Sequence, residues 1–425
     1  MTVYRNGDNK AVVENNNIIK GAIMRYIAAL VILLLNPIDI FSCTSAVVSG
    51  RATPDGRPIL WKHRDSSCPR NALRHFKGDR YSFTGIVNAD STYSSQIWIG
   101  INEAGFSIMN TASYNLLSKQ DYMGEMDREG LFMAEALGRC STVSEFEEML
   151  ENTNGSRGVE ANFGVIDAEG GAAFFEAGPL KFMKYDATDP GTVPAGYLIR
   201  TNFSFAGDST KGYGYIRYRT ISDLFMQEYF EKRNISVEFI IQGATRCLKH
   251  SLLELDLYDR PLPADSDDRR IIPFNDYIPR SSSVSSMVVQ GVRPGEDPEL
   301  AVMWTILGFP LVAPVFPLLN GTVDIPEILS TEMGETAPLN AHALRMKGRC
   351  FPVSIGSGHR YLDLAVLLNE SGKGLLQQVL EIDRETIRET EDKLAGVRSK
   401  RYDKNSFNLL YRSVEKRMDM FFESN

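Results

Sequence analysis

Residues 43–49 read Cys-Thr-Ser-Ala-Val-Val-Ser and are followed by the turn signature Thr53-Pro-Asp-Gly and by a second apolar run over 58–61. The first run is rich in β-branched residues, which favour strands, and proline, aspartate and glycine are typical of tight turns. Two strand-like runs joined by such a turn predict a β-hairpin. We therefore expect Cys43 to begin the first strand of the fold.

The segment before this hairpin has the outline of a signal peptide. A basic start at Met24-Arg precedes the ten-residue apolar run Tyr26–Leu35, and the small residue Ser42 lies directly before Cys43. Ten helical residues span about 15 Å, which is too short for a hydrocarbon core of about 30 Å. We predict that residues 1–42 are an N-terminal extension and signal peptide, and that residues 43–425 form a single exported domain with an N-terminal cysteine.

The same cysteine also suits a lipoprotein. The lipidation box requires an aliphatic residue at −3 and small residues at −2 and −1. Ile40 and Ser42 satisfy this pattern, whereas Phe41 does not. Cys43 is thus released by a signal peptidase, by self-cleavage, or with lipid attached. In the last case the alternative function is a lipid-anchored binding protein, and localisation is periplasmic or extracellular in each case.

Composition and charge argue against several classes of function. The 425 residues are 43% apolar and 24% charged, with a net charge of −8, which is typical of a globular chain without a global basic surface for nucleic acid. Five cysteines occur without a CxxC pair, and five histidines occur without an HExxH motif. We expect no disulfide scaffold, metal site or cofactor.

The rest of the chain alternates between strand and helix patterns without a βαβ rhythm, which predicts an α+β fold of antiparallel sheets flanked by helices. Predicted strands are 96–101, 105–110, 163–167, 172–176, 197–201, 283–290 and 300–306. Predicted helices are 129–140, 145–150 behind a Thr142–Glu145 capping box, 216–232, 237–253, about 361–396 and 403–422. Residues 259–281 are predicted to form an irregular loop, and the apolar stretch 304–319 is expected in the core or beside a pocket.

An unblocked Cys43 would combine a nucleophile and a base in one residue. A thiol has a reference pKa of about 8.5 and an α-amine one of about 7.7–8.0, so the amine can accept the thiol proton near neutral pH. No histidine is needed, in agreement with the lack of a recognisable Cys/His or Ser/His/Asp arrangement. The sequence predicts a hydrolase that attacks a carbonyl through Cys43 Sγ.

Two segments carry a resemblance to a known family. Cys43-Thr-Ser and the following Trp61-Lys-His-Arg-Asp resemble the N-terminal nucleophile (Ntn) hydrolases of the choloylglycine hydrolase and penicillin acylase group. The acyl-coenzyme A:6-aminopenicillanic acid acyltransferase branch, which is peptidase C45-like, is the more similar one. In that family a basic residue and an aspartate three positions later lie beside the nucleophile. The resemblance assigns these places to Lys62 and Asp65, with Arg64 as the alternative to Lys62.

Further motifs follow in the family's order. Gly100-Ile-Asn-Glu-Ala-Gly and the strand ending at Asn110 are similar to the hairpin whose asparagine lines an oxyanion hole. Leu198-Ile-Arg-Thr-Asn202 is similar to a second catalytic asparagine, and Gly214-Tyr-Ile-Arg217 to the segment with a catalytic arginine. The resemblance implies that Asn110 and Asn202 donate N–H groups to the oxyanion or substrate. It also implies that Asp65 binds the α-ammonium, and that Arg217 holds this carboxylate or favours the thiolate.

The resemblance implies a four-layer αββα sandwich and an amidohydrolase or acyltransferase that acts on linear amides through a Cys43 thioester. Water or an amine completes the reaction, and the sequence leaves this choice open. N-acyl amino acids, small peptides, conjugated bile acids and penicillins are all compatible substrates. The expected partner is a small-molecule amide, without nucleic acid or a stable membrane span, and a homo-oligomer is compatible with the sequence.

Overall fold

The computed structural model describes residues 42–90, 95–118, 121, 125–322, 324–332, 334–401, 403 and 406–425. The proposed signal peptide lies outside the described residues, apart from its last residue, Ser42. One compact unit spans Ser42–Asn425. Among the residues described, no helix is both long and apolar enough to cross a bilayer.

The hairpin at the start of this unit forms as predicted. Strand β1 (Thr44–Val48) pairs antiparallel with β2 (Ile59–Asp65), and Ser45 lies opposite Lys62. Every residue of both strands is buried, because neighbouring strands and a helix cover them. The hairpin is therefore in the interior of the fold.

Two large antiparallel sheets are built around it. The second sheet is a simple meander with strand order β3 to β9, and the first has the order β10-β1-β2-β14-β15-β16. The remaining strands of the first sheet are β10 (Tyr197–Arg200), β14 (Ser283–Gln290), β15 (Val302–Leu307) and β16 (Phe316–Leu319). The second sheet contains β3 (Asn71–Lys77), β4 (Ser82–Asn88), β5 (Ile99–Asn102), β6 (Ser107–Ala112), β7 (Ala161–Ile166), β8 (Ala172–Ala177) and β9 (Phe182–Asp186).

Helices cover the outer faces of both sheets. They are α1 (Glu129–Arg139), α2 (Val143–Asn152), α3 (Tyr215–Lys232), α4 (Pro338–Cys350), α5 (Leu364–Leu367), α6 (Leu375–Arg398) and α7 (Phe407–Ser424). Phe132 of α1 packs on Phe163 of the seven-stranded sheet, with ring centroids 5.7 Å apart. Phe225 of α3 stacks on Trp61 of the six-stranded sheet at 6.3 Å.

The inner faces of the two sheets pack against each other. A Cβ atom placed on Gly164 of β7 would lie 2.9 Å from Val47 Cγ2 and 3.2 Å from Leu60 Cδ1, both on the opposite sheet. Helices outside and sheets inside make four layers, which confirms the predicted α+β class and the αββα arrangement. Cys43 lies at the end of this sheet-to-sheet interface.

One helix prediction was wrong. Residues 237–253 do not form one α-helix. They form a π-helical turn (Phe239–Ala244) and then β11 (Lys249–His250), which pairs with β12 (Leu255–Asp256). The turn brings Arg246 into the interior, where it binds Asp383 in a fully buried ion pair. That tertiary contact overrides the local helical pattern.

The helical segments predicted at about 361–396 are present as α5 and α6, and a short strand precedes them. Residues 361–363 form β17, which pairs with β13 (Ile271–Pro273) inside the predicted irregular loop, and α5 and α6 follow. The apolar stretch 304–319 is fully buried and contributes β16, in agreement with its expected place in the core. Strands β3, β4 and β9 and helix α4 were not predicted.

We predict that Gly164→Ala lowers the free energy of unfolding by about 1–3 kcal/mol, because the added methyl group overpacks the interface between the sheets. Urea denaturation monitored by tryptophan fluorescence measures the change. The matched control is Gly348→Ala in α4, where a Cβ atom meets nothing within 4 Å and the free energy should stay equal or rise slightly. Equal effects of the two substitutions would contradict the tight contact at Gly164.

Candidate active site

Cys43 lies directly before β1 and is 7% exposed, with a free thiol. In the β1–β2 register Thr44 lies opposite His63, and Ser45 opposite Lys62. Side chains alternate along a strand, so Cys43 is directed to the same side of the sheet as Ser45 and Lys62. That side faces the seven-stranded sheet, because Lys62 reaches Asn110 of β6. The thiol thus lies between the two sheets.

The main chain of Cys43 is held by two buried side chains. Its N–H donates to Asn202 Oδ1 at 2.8 Å, and its carbonyl oxygen accepts from Arg217 Nη1 at 2.6 Å. Arg217 also donates to Thr44 Oγ1 at 2.8 Å and to Asn202 Oδ1 at 2.9 Å. The predicted residues Cys43, Asn202 and Arg217 are therefore in direct contact.

Local structure explains how these two side chains reach Cys43. Asn202 follows β10, which pairs with β1, and Arg217 lies in the first turn of α3. Gly214 begins that helix with a φ of 81°, and a Cβ atom there would lie 2.9 Å from Arg217 Cζ. Glycine has no side chain, so it adopts this left-handed conformation without an energetic cost. Gly214 thus allows the guanidinium to pass beside the helix start.

Asn202 has a different orientation from the one expected of an oxyanion donor. Its carbonyl oxygen faces Cys43, and its Nδ2 donates to the Ala112 carbonyl at 3.0 Å. In this state of the chain Asn202 is an acceptor for the Cys43 nitrogen.

Asp65 is bound by Arg280, which the sequence did not identify. Arg280 Nη2 donates to Asp65 Oδ2, and Ser283 Oγ donates to Asp65 Oδ1 at 2.6 Å. The expectation that Arg217 holds this carboxylate is therefore corrected, since Arg217 bonds to the Cys43 carbonyl instead. Arg280 Nη2 makes a further bond of 3.0 Å to the carbonyl oxygen of Ser42.

His63 extends this group of side chains on the outer face of β2. Its Nε2 lies 2.8 Å from Ser283 Oγ. Because the Ser283 hydroxyl donates its proton to Asp65, His63 Nε2 is the donor in this contact. Burial lowers the pKa of His63 to about 4, so the ring is neutral at physiological pH. His63 therefore orients Ser283 and carries no charge into the site.

Lys62 and Arg64, the two candidates for the basic position, both lie on the inner face but contact different groups. Lys62 Nζ donates to Asn110 Oδ1 at 2.7 Å and to the Trp98 carbonyl at 2.9 Å. Arg64 stacks 4.5 Å above the Trp98 ring and donates to two asparagines at the ends of β3 and β4. Lys62 is thus the one joined directly to Asn110.

Burial perturbs both cations. It lowers the pKa of Lys62 to about 8, and a thiolate at Cys43 opposes this shift. Burial also lowers the pKa of Arg64 to about 10, again opposed by Cys43. Both cations therefore lie close enough to Cys43 to respond to a charge at that position.

The charges at the site are not balanced. Lys62, Arg64 and Arg217 are buried, and burial lowers the pKa of Arg217 to about 9, which still leaves it a cation at neutral pH. Asp65 is the carboxylate that the neighbouring Arg280 binds. Buried charge is costly without a counter-charge. A site with this excess of cations favours an anion such as a thiolate or a tetrahedral oxyanion.

A cavity of about 290 Å³ lies beside β8 and β9, with the charged residues Asp121 and Lys181 among its lining. Its lining includes Leu116, Leu117, Leu180, Phe182, Met183 and Glu176. Glu176 Oε1 accepts from Arg200 Nε at 2.7 Å, and Arg200 lies opposite Ser45, two residues along β1 from Cys43. Glu176 thus connects the cavity through Arg200 to the strand that pairs with β1, and Cys43 does not line the cavity.

Comparisons with known proteins give structural similarities only. No family model matches the chain, and no curated protein matches it by sequence. The structure is similar to that of the Caenorhabditis elegans orthologue of N-acylethanolamine-hydrolyzing acid amidase, with a TM-score of 0.39 and 15% sequence identity. The alignment covers 58% of this chain and 92% of the amidase chain.

It is also similar to conjugated bile acid hydrolase from Clostridium perfringens, at 12% identity, with 66% and 93% of the chains covered and a TM-score of 0.40. For penicillin V acylase from Agrobacterium tumefaciens the identity is 12%, the coverages are 66% and 87%, and the TM-score is 0.36. Similarity at this level does not transfer an activity to this chain.

We predict that the buried amine of Lys62 makes stability depend on pH. Its pKa is about 8 in the folded chain, against 10.5 for a lysine side chain in water. Between these values the unfolded chain binds a proton that the folded chain has lost, so the free energy of unfolding rises with pH by up to about 3 kcal/mol. Lys62→Met should remove this rise in urea denaturation from pH 7.5 to pH 9.5. The matched control is Lys77→Met at an exposed lysine, which should keep it, and a rise retained in Lys62→Met would contradict the assignment.

Proposed function

We propose that the chain is an amide-cleaving enzyme whose nucleophile is Cys43 Sγ, exposed as an N-terminal residue when the Ser42–Cys43 bond is cut. One observation carries the proposal: both main-chain groups of Cys43 are held by buried polar side chains, within a cluster of buried cations. A cysteine that only fills a core requires neither feature. Both features fit a residue that must hold a fixed position and become an anion.

Cleavage of that bond supplies the base. The amide nitrogen of Cys43 cannot accept a proton, whereas the amine formed from it can, with a reference pKa of about 7.7–8.0. Asn202 Oδ1, which accepts from this nitrogen at 2.8 Å, would keep the amine in place and turn its lone pair toward Sγ. Arg217 would fix the strand through the Cys43 carbonyl, and Asp65, on the adjacent β2, would offer a counter-charge to the ammonium form.

The second requirement is a group that stabilises the tetrahedral oxyanion. Asn110 turns its carbonyl oxygen to Lys62, so its amide NH₂ is the end directed elsewhere in the site. We assign the oxyanion to this NH₂ together with the positive charge of Lys62, with Arg64 as a second cation behind it. The loss of one such donor typically costs about 2.7–4 kcal/mol of transition-state stabilisation. Asn202 would join this set only if its amide rotated after cleavage.

The proposed substrate class rests on the cavity beside β8 and β9. The cavity of about 290 Å³ has mainly apolar walls, and the carboxylate of Glu176 is neutralised there by Arg200. It suits the apolar acyl part of a linear amide, whether an N-acyl amino acid, a small peptide, a bile-acid conjugate or a penicillin-like compound. The acyl group would pass to Cys43 as a thioester, which water cleaves in a hydrolase and an amine in an acyltransferase.

Export is part of the proposal, since the apolar run before Cys43 supports a periplasmic or extracellular enzyme. The alternative, a lipid-anchored binding protein, differs in one covalent feature, because an acylated α-amine cannot serve as the base. Intact mass of the exported protein separates them. A mass that begins at an unmodified Cys43 supports the enzyme, and diacylglycerol on Cys43 contradicts it.

We predict that Cys43→Ala abolishes amide hydrolysis and that Cys43→Ser leaves only a small fraction of it, because a serine hydroxyl is a weaker nucleophile under an α-amine base. Chains made with methionine directly before residue 43, which methionine aminopeptidase removes to expose Cys43, allow turnover to be measured independently of leader removal. N-acyl 7-amino-4-methylcoumarins of increasing acyl length are suitable probes, with fluorescence as the readout.

The matched control is Cys140→Ala, at a buried cysteine that follows α1 and lies away from the Cys43 cluster. It should retain full activity, and circular dichroism should show that the Cys43 variants keep the native fold. Turnover that is unchanged in Cys43→Ala would contradict the proposed mechanism.

A further inference from the structure

We propose that the protein has a second ligand site, in a cavity outside the six-stranded sheet, and that this site binds a carboxylate with a short apolar chain. The cavity has a volume of about 320 Å³. It lies between α3, the π-helical turn and α6, and each of them contributes to its wall. The proposed reaction does not use this cavity, so the inference goes beyond the proposed function.

Arg246 is the residue of the wall that calls for a ligand. Its side chain is fully buried, and it binds Asp383 through Nε and Nη2. Nη2 also donates to the Ala313 carbonyl at 3.0 Å. Among the residues that the structure describes, none accepts a hydrogen bond from the third nitrogen, Nη1. A buried N–H group without an acceptor is costly, so an acceptor held in the cavity would supply the missing bond.

The other residues of the wall indicate the chemistry of that acceptor. The charged residues of the described lining are two cations, Arg246 and Lys249. Lys249 is paired loosely, since its Nζ lies 3.5 Å from Asp256 Oδ2, and its side chain is 45% exposed. The rest of the wall is mainly apolar and includes Leu224, Cys247, Leu248, Tyr258 and Leu380. Cations at one part of an apolar wall suit an anion that carries a hydrocarbon chain.

Tyr258 offers a second donor near the guanidinium. Burial raises the pKa of its phenol, and the charge of Arg246 opposes this rise, so the two groups interact. The hydroxyl therefore keeps its proton at physiological pH and can donate to the same carboxylate as Arg246. The volume lies at the lower end of the range for small-molecule sites, about 300–1,000 Å³, which favours a short chain.

This cavity is separate from the site around Cys43. Thr245, the neighbour of Arg246 in the chain, lies 3.3 Å from Ser286 Oγ, and this hydroxyl donates to the Lys62 carbonyl at 3.2 Å. The Lys62 side chain reaches in another direction, to Asn110 on the opposite sheet. A ligand at Arg246 would thus lie behind β2, on the side of the sheet away from the thiol.

Isothermal titration calorimetry of the full chain with octanoate and with octan-1-ol tests the site. Octan-1-ol has a chain of the same length without the charge. We expect octanoate to bind about 10-fold more tightly, because a carboxylate accepts a charge-assisted hydrogen bond. The double variant Arg246→Met/Asp383→Asn removes the guanidinium with its counter-charge and keeps an acceptor for the Val315 N–H. It should fold, as circular dichroism can show, and should bind the two ligands equally.

A second variant fills the cavity without touching a charge. Leu224→Trp should weaken the binding of octanoate by about 10-fold or more, because the larger side chain takes the place of the ligand. The matched control is Met226→Trp on the exposed side of the same helix, which should leave the affinity unchanged. Met183→Trp in the cavity beside β8 and β9 should also leave this binding event unchanged.

Three results would overturn the inference: a chain that does not bind octanoate, equal binding of octanoate and octan-1-ol, or unchanged octanoate binding in Leu224→Trp. Failure of the proposed function looks different, because no step of this test requires turnover. If the chain binds octanoate at Arg246 but hydrolyses no amide probe, the assignment as an amidase fails, while the second site stands.

Discussion

The hydrogen bonds to the two peptide groups on either side of Cys43 are the constraint on which the rest of the site depends. Asn202 and Arg217 bind the nitrogen and carbonyl oxygen of Cys43, and Arg280 binds the carbonyl oxygen before it. At the end of a strand some main-chain N–H and C=O groups have no partner in the sheet. Such groups usually bind water, and the chain there is often poorly ordered. Here the side chains of Asn202, Arg217 and Arg280 bind these main-chain groups in place of a strand partner. The main chain at Cys43 is therefore held as firmly as the sheet itself.

Sheet pairing explains why these side chains come from distant parts of the sequence. Strand β1 lies between β10 and β2, and β2 also pairs with β14. Asn202 follows β10, Asp65 ends β2, and Arg280 precedes β14, so three strand ends meet at the residue that precedes β1. An antiparallel sheet brings such ends together whatever the loop length between them, which is how a site can be assembled from segments separated by 159 and 215 residues.

The parts of the site that could be predicted from the sequence are those with a local pattern. The hairpin that begins at Cys43 is visible in its β-branched runs and turn residues, and Asp65 lies at its end. Arg280 has no such pattern, because it ends a long irregular loop and becomes a neighbour of Asp65 only when β14 pairs with β2. The expected partner of Arg217 was wrong for the same reason: the order of residues in the sequence does not reveal which of two arginines contacts a carboxylate.

The helix predicted over 237–253 shows a similar limit. Its apolar spacing fits an α-helix, but the chain forms a π-helical turn there and Arg246 pairs with the distant, buried Asp383.

The charge of Lys62 links the thiol to the oxyanion donors. Burial lowers the pKa of Lys62 to about 8, and a negative charge at the Cys43 position opposes this shift. The sequence could not choose between Lys62 and Arg64, since both alternate to the same face and only the position of Asn110 on the opposite sheet separates their partners. In the proposed mechanism the negative charge of the sulfur moves to the carbonyl oxygen of the substrate, and Lys62, which is bonded to Asn110, would lie beside that new anion. Under that proposal the charge would move a short distance within a fixed set of buried cations, and the site would need little reorganisation.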